Sequence, residues 1–249
     1  MLKIKDKLIV ALDVDTLKKA KYFVDLLYPE VRLFKIGSQL FTACGPEAIK
    51  MVSNKGARVF LDLKFHDIPH TVYLSIGTGA ACSINIMSPS AETKTRVEDT
   101  VMGPVFMMTV HTKGGRAMLE GAARAAKEKA NELKIVKPYI VGVTRLTSDE
   151  EAPDTLQEVI NAAKLAQDAG LDGVVCSAHE AEAVRKECGR DFIIVTPGIR
   201  LNGAQKDDQR RVTTAQEAIK AGSDFLVVGR PILEAKDPLK AVKEIIGSL

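Results

Sequence analysis

The sequence lacks an excess of charge of either sign, and it lacks any long apolar run. Its 35 Lys and Arg residues nearly balance 32 Asp and Glu residues, for a formal net charge of +3. That balance argues against a nucleic-acid-binding surface. No run approaches the roughly 18 apolar residues of a membrane span, and residues 1–7 lack the apolar core of a signal peptide. We therefore expect no nucleic-acid partner and no membrane partner.

Closely spaced cysteines are also lacking. The four cysteines, Cys44, Cys82, Cys176 and Cys188, lie far apart, with no CxxC pair and no histidine at metal-ligand spacing. This spacing suggests neither a zinc site nor a disulfide framework. We expect reduced thiols, a cytoplasmic location and no metal.

Short β-rich runs alternate with longer helical patterns along most of the chain. Apolar residues recur at helical spacing in residues 17–27, 117–133, 156–169 and 215–221. Gly170 and Gly222 follow the last two of these segments, as glycines at helix C-termini commonly do. Eight runs have the composition of buried strands: residues 8–12, 31–34, 58–61, 105–110, 139–143, 173–176, 192–195 and 225–228.

Eight strands separated by helices predict parallel crossovers and a closed (β/α)8 TIM barrel, α/β in class. A length of 249 residues suits a single barrel domain over residues 1–249. Polar or ionic residues repeatedly follow the predicted strands. In this fold the carboxyl ends of the strands form the catalytic face, so these residues are the candidate site.

One interval breaks the regular spacing. The distance from Asp62 to His111 is about twice the earlier distances between strand ends, and residues 77–103 contain Gly, Ser, Pro and Thr without sustained periodicity. Because long irregular loops are uncommon in compact domains, we interpret residues 77–103 as an insertion between strands 3 and 4.

Ionisable residues are concentrated in residues 60–69, directly after a predicted buried strand. Asp62 and Lys64 are two residues apart and therefore share one face of a strand. A carboxylate and an ammonium group at short distance in a cleft stabilise each other's charged forms. Asp67 follows, and Pro69 biases Ile68 away from helical geometry, which holds this second carboxylate in a turn. The alternative is a surface salt bridge at a strand end.

Two further ionisable residues follow neighbouring strands. Lys35 comes after the second predicted strand, where it can reach Asp62, and Asp13 comes after the first. The series Lys35, Asp62, Lys64 and Asp67 therefore predicts an array of alternating charges. His111 has no adjacent nucleophile or acidic partner, which favours a structural role over that of a catalytic base.

The ends of the last two predicted strands suggest an anion site. Gly229 would let an anion approach backbone N–H groups, Arg230 offers forked donors, and Pro231 suits the first turn of a helix. Barrels often bind phosphate beside strands 7 and 8. Arg200 lies just before a polar loop, residues 201–211, that contains Gln209 and could close over a ligand. The alternative is a solvated arginine and an ordinary soluble loop.

Taken in order, several motifs resemble the orotidine 5'-phosphate decarboxylase family. The resemblance extends from about residue 8 to the C-terminus, excluding the insertion. The Asp-x-Lys-x-x-Asp core alone is shared with related sugar-phosphate decarboxylases and synthases. The motifs are Ala11-Leu12-Asp13, Phe34-Lys35-Ile36-Gly37, Asp62-Leu63-Lys64-Phe65-His66-Asp67-Ile68-Pro69, Val143-Thr144-Arg145-Leu146-Thr147-Ser148, Val195-Thr196-Pro197-Gly198-Ile199-Arg200, Asp208-Gln209 and Val228-Gly229-Arg230.

The resemblance implies a lyase that removes CO2 from orotidine 5'-monophosphate to give UMP, the last step of de novo UMP synthesis, without a metal or organic cofactor. It further implies that Lys64 donates a proton to C6 and that Asp62 lies close to the departing carboxylate. By the same likeness, Lys35 and Asp13 hold the ribose.

The resemblance also implies a homodimer with shared active sites, in which Asp67 reaches the partner subunit's site together with Ile68 and Thr71. The other residues that it places around the ligand are Thr147 at the pyrimidine, Gln209, Gly229 and Arg230 at the phosphate and base, and Arg200 nearby.

Two alternatives remain open. One is a metal-dependent 3-keto-hexulose-phosphate decarboxylase or synthase with the same core, against which the Ile68-Pro69 and Thr147-Ser148 stretches argue. The other is a non-catalytic phosphoribosyl-ligand binder whose insertion disrupts the site or the dimer. Retention of Asp62, Lys64 and Asp67 argues against this second alternative.

Overall fold

A closed barrel of eight parallel strands forms the centre of the computed structural model. The structure describes residues 4–82, 96–97, 100–101, 103–146, 149, 152–200 and 213–249. The barrel strands are β1 Leu8–Ala11, β2 Leu33–Gly37, β3 Arg58–Phe65, β4 Val105–His111, β5 Tyr139–Val143, β6 Gly173–Val175, β7 Ile193–Thr196 and β8 Phe225–Val228.

Each strand pairs in parallel with the strands before and after it in the chain, and β8 closes the barrel against β1. The predicted (β/α)8 TIM barrel is therefore confirmed, with all eight strands at the expected places. Parallel strands start at one rim and end at the other, so the residues that follow them meet at one face.

Helices connect the strands and surround the barrel. The first helix, Leu17–Leu27, has the bounds predicted from apolar spacing, and Gly170 and Gly222 adopt the positive φ angles expected after helices Thr155–Asp168 and Ala215–Lys220. No helix within the described ranges has both the length and the apolar character to span a bilayer. The helices are α1 Leu17–Leu27, α2 Ser38–Cys44, α3 Pro46–Asn54, α4 Pro69–Ala81, α5 Arg116–Leu133, α6 Thr155–Asp168, α7 Ala178–Cys188, α8 Ala215–Lys220, α9 Arg230–Leu233 and α10 Pro238–Gly247.

Two strands continue past the charged residues that were expected to end them. Lys35 is the central residue of β2, and both Asp62 and Lys64 lie inside β3. The expectation was wrong because an isolated charge is costly inside a strand, whereas these charges have partners. The charged side chains therefore project from regular strand backbone instead of from mobile loops.

The start of the predicted insertion is also wrong. Helix α4 continues through Ala81, so residues 77–81 are helical. Gly79 suits this position because a Cβ atom there would lie only 2.7 Å from the Met108 sulfur on β4. Arg96–Val97 pairs antiparallel with Thr100–Val101, and residues 83–95 lie outside the described residues.

The core has two layers that follow the alternation of the strands. Leu33, Phe60 and Met107 belong to a small cluster that fills the barrel interior. Leu61 and Met108, which neighbour two of them in sequence, belong to the larger cluster between the strands and the helices. A strand residue two positions beyond an interior residue therefore points toward the barrel mouth.

Candidate active site

The charged cluster continues the interior layer at the carboxyl ends of the strands. Lys35 follows the interior residue Leu33 by two positions, and Asp62 follows the interior residue Phe60 by two positions. Register pairs Lys35 with Phe60 and pairs Gly37 with Asp62 across β2 and β3. Strand alternation therefore brings an ammonium and a carboxylate together directly above the apolar interior.

Lys35 is the buried cation of this cluster. Its Nζ atom lies 3.0 Å from Asp13 Oδ1 and 3.4 Å from Asp62 Oδ2, and its side chain is 11% exposed. Burial by itself would lower the pKa of Lys35, but attraction to Asp62 and then to Asp13 outweighs burial and raises the pKa. Lys35 is therefore held as an ammonium group.

Asp62 is the buried anion at the centre of the cluster, with a side chain that is 10% exposed. Both of its carboxylate oxygens lie 2.9 Å from Lys64 Nζ, and Thr109 Oγ1 donates a hydrogen bond of 3.1 Å to Oδ1. Burial favours the neutral acid, but Lys35, Lys64 and Thr109 outweigh it and lower the pKa of Asp62. The carboxylate is therefore ionised at neutral pH.

A local irregularity in β3 presents Lys64 to the site. Register pairs Leu61 with Met108 and then pairs Phe65 with Val110, so that three residues of β3 face Thr109 alone. Extra residues on one strand of a pair redirect side chains locally, and such bulges are common beside active sites. The prediction that Asp62 and Lys64 point the same way is confirmed, although the backbone between them is not a regular strand.

Lys64 occupies the left-handed backbone region, with φ of 51°. That conformation is uncommon for a residue with a side chain and persists only where surrounding contacts hold it. The contact here is a hydrogen bond of 2.8 Å from the Lys64 backbone N–H to Thr109 Oγ1. Thr109 is fully buried and thus joins the Lys64 backbone to the Asp62 carboxylate.

A cavity of about 210 Å³ opens beside the cluster and extends to the ends of β7 and β8. Arg200 lies in a two-residue strand, Ile199–Arg200, that pairs with Thr213–Thr214. Its Nη2 atom is buried without a hydrogen-bond partner within the described ranges. Its lining includes the charged cluster at one end and the residues that follow β7 and β8 at the other, namely Asp13, Lys35, Asp62, Lys64, Arg200, Gly229 and Arg230.

Two glycines allow the close packing of the cluster. A Cβ atom at Gly229 would lie 3.3 Å from Asp13 Oδ2, and one at Gly37 would lie 3.0 Å from Lys35 Nζ. Gly229 is also the N-cap of α9, which has proline in its first turn as the sequence predicted. Both glycines therefore leave room for charged groups.

His111 lies at the edge of the cluster, 5.8 Å between ring centroids from His66. Burial, then His66 and Lys64, lowers the pKa of His111. A neutral imidazole at this place agrees with a structural role, which stays a prediction.

Three predicted site residues lie apart from the cavity. Asp67, Ile68 and Thr71 are exposed around the start of α4, and Ile68 is 66% exposed. The Asp67 carboxylate accepts a hydrogen bond of 2.6 Å from the Ile68 backbone N–H. The structure therefore brings Lys35, Asp62 and Lys64 together within one chain, but not Asp67. The predicted residues Thr147 and Gln209 lie outside the described residues.

Thr109 is the site residue that sequence reasoning missed. A threonine within an apolar strand is unremarkable by itself. Its position two residues after Met107, an interior residue, was a usable signal, because it places the hydroxyl at the same level as Asp62.

The closed barrel and the charged cavity at the carboxyl ends of its strands define a (β/α)8-barrel enzyme. Residues 6–97 and 103–245 match the model of the orotidine 5'-phosphate decarboxylase / HUMPS family. The chain belongs to this family. The residues left out of the match, 98–102, lie inside the predicted insertion of residues 77–103, and the departure of that segment from the family pattern stays a prediction.

Individual relatives agree with this membership. An orotidine 5'-phosphate decarboxylase of Moorella thermoacetica is 44% identical over 254 residues, which cover 98% of this chain and 92% of the relative. An orotidine 5'-phosphate decarboxylase of Syntrophotalea carbinolica is 45% identical over 252 residues, which cover 97% of this chain and 94% of that relative. The crystal structure of orotidine 5'-phosphate decarboxylase from Lactobacillus acidophilus has a TM-score of 0.77 and 30% identity, covering 98% of each chain.

Proposed function

We propose that this chain decarboxylates orotidine 5'-monophosphate to UMP and CO2 in pyrimidine biosynthesis, without a metal or organic cofactor. The observation that carries the proposal is the position of Lys64. Its Nζ atom lies 2.9 Å from both oxygens of a buried carboxylate and lines a cavity that also contains Arg200 and Arg230. The names of the full-length relatives support the same reaction.

Lys64 acts as the proton donor in this proposal. When the bond between C6 and the carboxylate breaks, the electron pair remains on C6 and CO2 leaves. An ammonium group fixed beside C6 stabilises that negative charge more strongly in the transition state than in the ground state. One N–H proton then passes to C6, which leaves Lys64 as the neutral amine until solvent reprotonates it.

Asp62 has two effects on the reaction. It fixes the direction of the Lys64 ammonium through the two 2.9 Å contacts, and its negative charge faces the substrate carboxylate. Loss of CO2 removes the repulsion between these two anions, which lowers the barrier. Three cationic or hydroxyl partners hold Asp62 ionised, so it cannot escape the repulsion by taking up a proton.

The far end of the cavity binds the phosphate in this proposal. Arg200 presents a buried guanidinium nitrogen without a partner in the described part of the chain, and Gly229 and Arg230 line the same cavity. Forked arginine donors match phosphate oxygens. Binding energy at this distant group can orient the reacting pyrimidine, so its loss would reduce turnover as well as affinity. Gln209 would join this group.

The ribose lies between the two ends. Lys35 and Asp13, 3.0 Å apart, offer a donor and an acceptor for its hydroxyl groups. Thr147 would contact the pyrimidine.

We further propose a homodimer whose subunits share their active sites. Asp67, Ile68 and Thr71 occupy an exposed segment directly after Lys64 and Phe65, and Leu74 on α4 is 53% exposed. Exposed apolar side chains beside a cavity are typical of a surface that another subunit covers. In the dimer, Asp67 of each subunit would complete the charge array of the other.

The direct test is the ultraviolet absorbance of orotidine 5'-monophosphate incubated with the protein and a chelator. We expect conversion to UMP at a rate unaffected by the chelator. No conversion at any protein concentration would contradict the activity, and conversion that the chelator abolishes would contradict cofactor independence. Metal-dependent activity on a 3-keto-hexulose phosphate would instead favour the sugar-phosphate branch of the family.

A further inference from the structure

A second cavity, of about 430 Å³, lies at the opposite end of the barrel. Its walls include Arg58, Tyr139 and Phe225, which are the first residues of β3, β5 and β8. Parallel strands all begin at the same rim, so this cavity lies at the amino-terminal face, away from Asp62 and Lys64. Its volume is within the range of small-molecule sites.

Three aromatic rings form one wall of the cavity. Phe106 packs edge to face against Tyr139, with centroids 5.2 Å apart, and against Phe225, with centroids 5.7 Å apart. The guanidinium carbon of Arg58 lies 4.2 Å from the centroid of the Phe106 ring. This geometry is a cation–π contact, and no acceptor in the described part of the chain takes a hydrogen bond from the N–H groups at the edge of the guanidinium.

Two other charged residues of the cavity have partners of opposite sign. Lys137 Nζ lies 2.6 Å from Asp172, and Asp224 lies 2.6 Å from an Arg185 nitrogen. Arg58 differs from both, because no carboxylate of the described residues lies within 4.0 Å of its guanidinium. An unpaired, half-buried cation is unfavourable, and an anion that entered the cavity would relieve that cost.

More distant charges around Arg58 do not replace such a partner. Burial lowers the pKa of the Arg58 guanidinium and Arg32 acts in the same direction, whereas Asp6 and Tyr139 raise it. Together these effects lower the pKa of Arg58, so the nearby charges do not fully compensate for the burial of its guanidinium. Arg190 and Asp191 also line the cavity, but they are exposed and of opposite sign.

We propose that this cavity binds a small aromatic carboxylate. The forked N–H groups of Arg58 match the two oxygens of a carboxylate, and this match is better than that of a lysine ammonium. The ring of the ligand would pack against Phe106 and Tyr139, which already associate in the edge-to-face geometry that aromatic rings favour. The site is separate from the decarboxylation site and does not depend on the function proposed for it.

The test is a titration of the 15N-labelled protein with benzoate, followed by backbone amide chemical shifts. We expect saturable shifts at Phe106, Tyr139 and Phe225, with a dissociation constant on the order of 1 mM for so small a ligand. Arg58→Met keeps the length of the side chain and should weaken binding at least roughly tenfold, because a charge-assisted hydrogen-bonding partner is lost.

Arg124→Met is the matched control. Arg124 also lies over an aromatic ring, 5.2 Å from the centroid of Tyr73, but on α5 outside this cavity. Its replacement should leave the dissociation constant of benzoate unchanged. Equal weakening by both replacements, or an unchanged affinity in Arg58→Met, would overturn the proposal.

Benzamide provides a second measurement that needs no variant. It has the shape of benzoate without the charge, so we expect no saturable shifts at these three residues. Benzamide binding as tight as benzoate binding would overturn the role of Arg58. Benzoate shifts confined to the cavity of Lys64 and Arg230, or an absence of shifts, would overturn the site itself.

Discussion

The backbone nitrogen of Lys64 donates a hydrogen bond of 2.8 Å to the side-chain hydroxyl of Thr109. The same hydroxyl donates to Asp62, at 3.1 Å. A hydroxyl has one proton, so both bonds form together only when it accepts from the Lys64 backbone N–H and donates to the Asp62 carboxylate oxygen. Thr109 thus holds the unusual backbone of one site residue and the carboxylate of another.

The first prediction concerns this hydroxyl. Thr109→Val keeps the shape of the side chain but removes both hydrogen bonds, and we expect a roughly ten- to hundredfold decrease in kcat for decarboxylation. Thr109→Ser keeps the hydroxyl and should recover most of the activity. A general packing defect would instead reduce the activity of both Thr109→Val and Thr109→Ser, and it would change KM as well as kcat. Equal activity of Thr109→Val and the parent protein would contradict the positioning role.

The second prediction concerns pH and stability. The pKa of Asp62 is lower in the folded protein than its ordinary value, so its ionisation stabilises the fold above the ordinary pKa, and this stabilisation disappears as pH falls through the folded pKa. We expect Asp62→Asn to lower the free energy of unfolding by roughly 1–3 kcal/mol at pH 7. The difference should shrink in acid.

Urea unfolding of both proteins from neutral to acid pH measures this difference. Asp15→Asn is the control, because Asp15 pairs with Lys19 at the exposed start of α1 and should change stability little. If the free energies of unfolding of Asp62→Asn and the parent protein differed more as pH falls, ionisation of Asp62 would not stabilise the fold.

The third prediction concerns Gly37. A Cβ atom there would lie 3.0 Å from Lys35 Nζ and 3.5 Å from Asp13 Oδ1. Gly37→Ala should therefore displace the ammonium group, raise KM severalfold and change thermal stability little, because the backbone conformation suits any residue. Gly247→Ala, with no neighbour within 4 Å of the added Cβ atom, is the control. Unchanged KM in Gly37→Ala would show that the position of Lys35 does not matter for binding.

The fourth prediction concerns the proposed dimer. Lys64→Ala and Asp67→Ala should each be nearly inactive, yet mixing them under conditions of subunit exchange should restore activity. Random exchange of equal amounts should make about half of the dimers hybrids, and each hybrid has one of its two sites with both native residues. The mixture should therefore show about a quarter of the parent activity. If mixing restored nothing, Asp67 would act within its own subunit or have no role.

Much of the barrel follows from sequence, because apolar runs separated by helical patterns have few other solutions in an α/β chain. Asp62 and Lys35 were predictable as neighbours because strand alternation and strand order are both regular. Strand ends were less predictable. The charge of Lys35 suggested an end to β2, because its partner Asp13 lies in the loop after β1 and is not visible in the local sequence around Lys35.

Two features required the three-dimensional arrangement. The left-handed backbone of Lys64 depends on Thr109, 45 residues further along the chain. The continuation of α4 through Gly79 contradicts the low helix propensity of glycine, and its reason lies in β4, where the Met108 sulfur would be only 2.7 Å from a Cβ atom at this position. Local propensity fails where tertiary packing selects the residue.

The most direct test of the proposed mechanism is the activity of Lys64→Ala together with its affinity for UMP, measured in the presence of a chelator. We predict that kcat falls at least roughly 10³-fold, since both the stabilising charge and the proton are lost. UMP should still bind through Lys35, Arg200 and Arg230. Turnover close to that of the parent protein would contradict the assignment of Lys64 as proton donor.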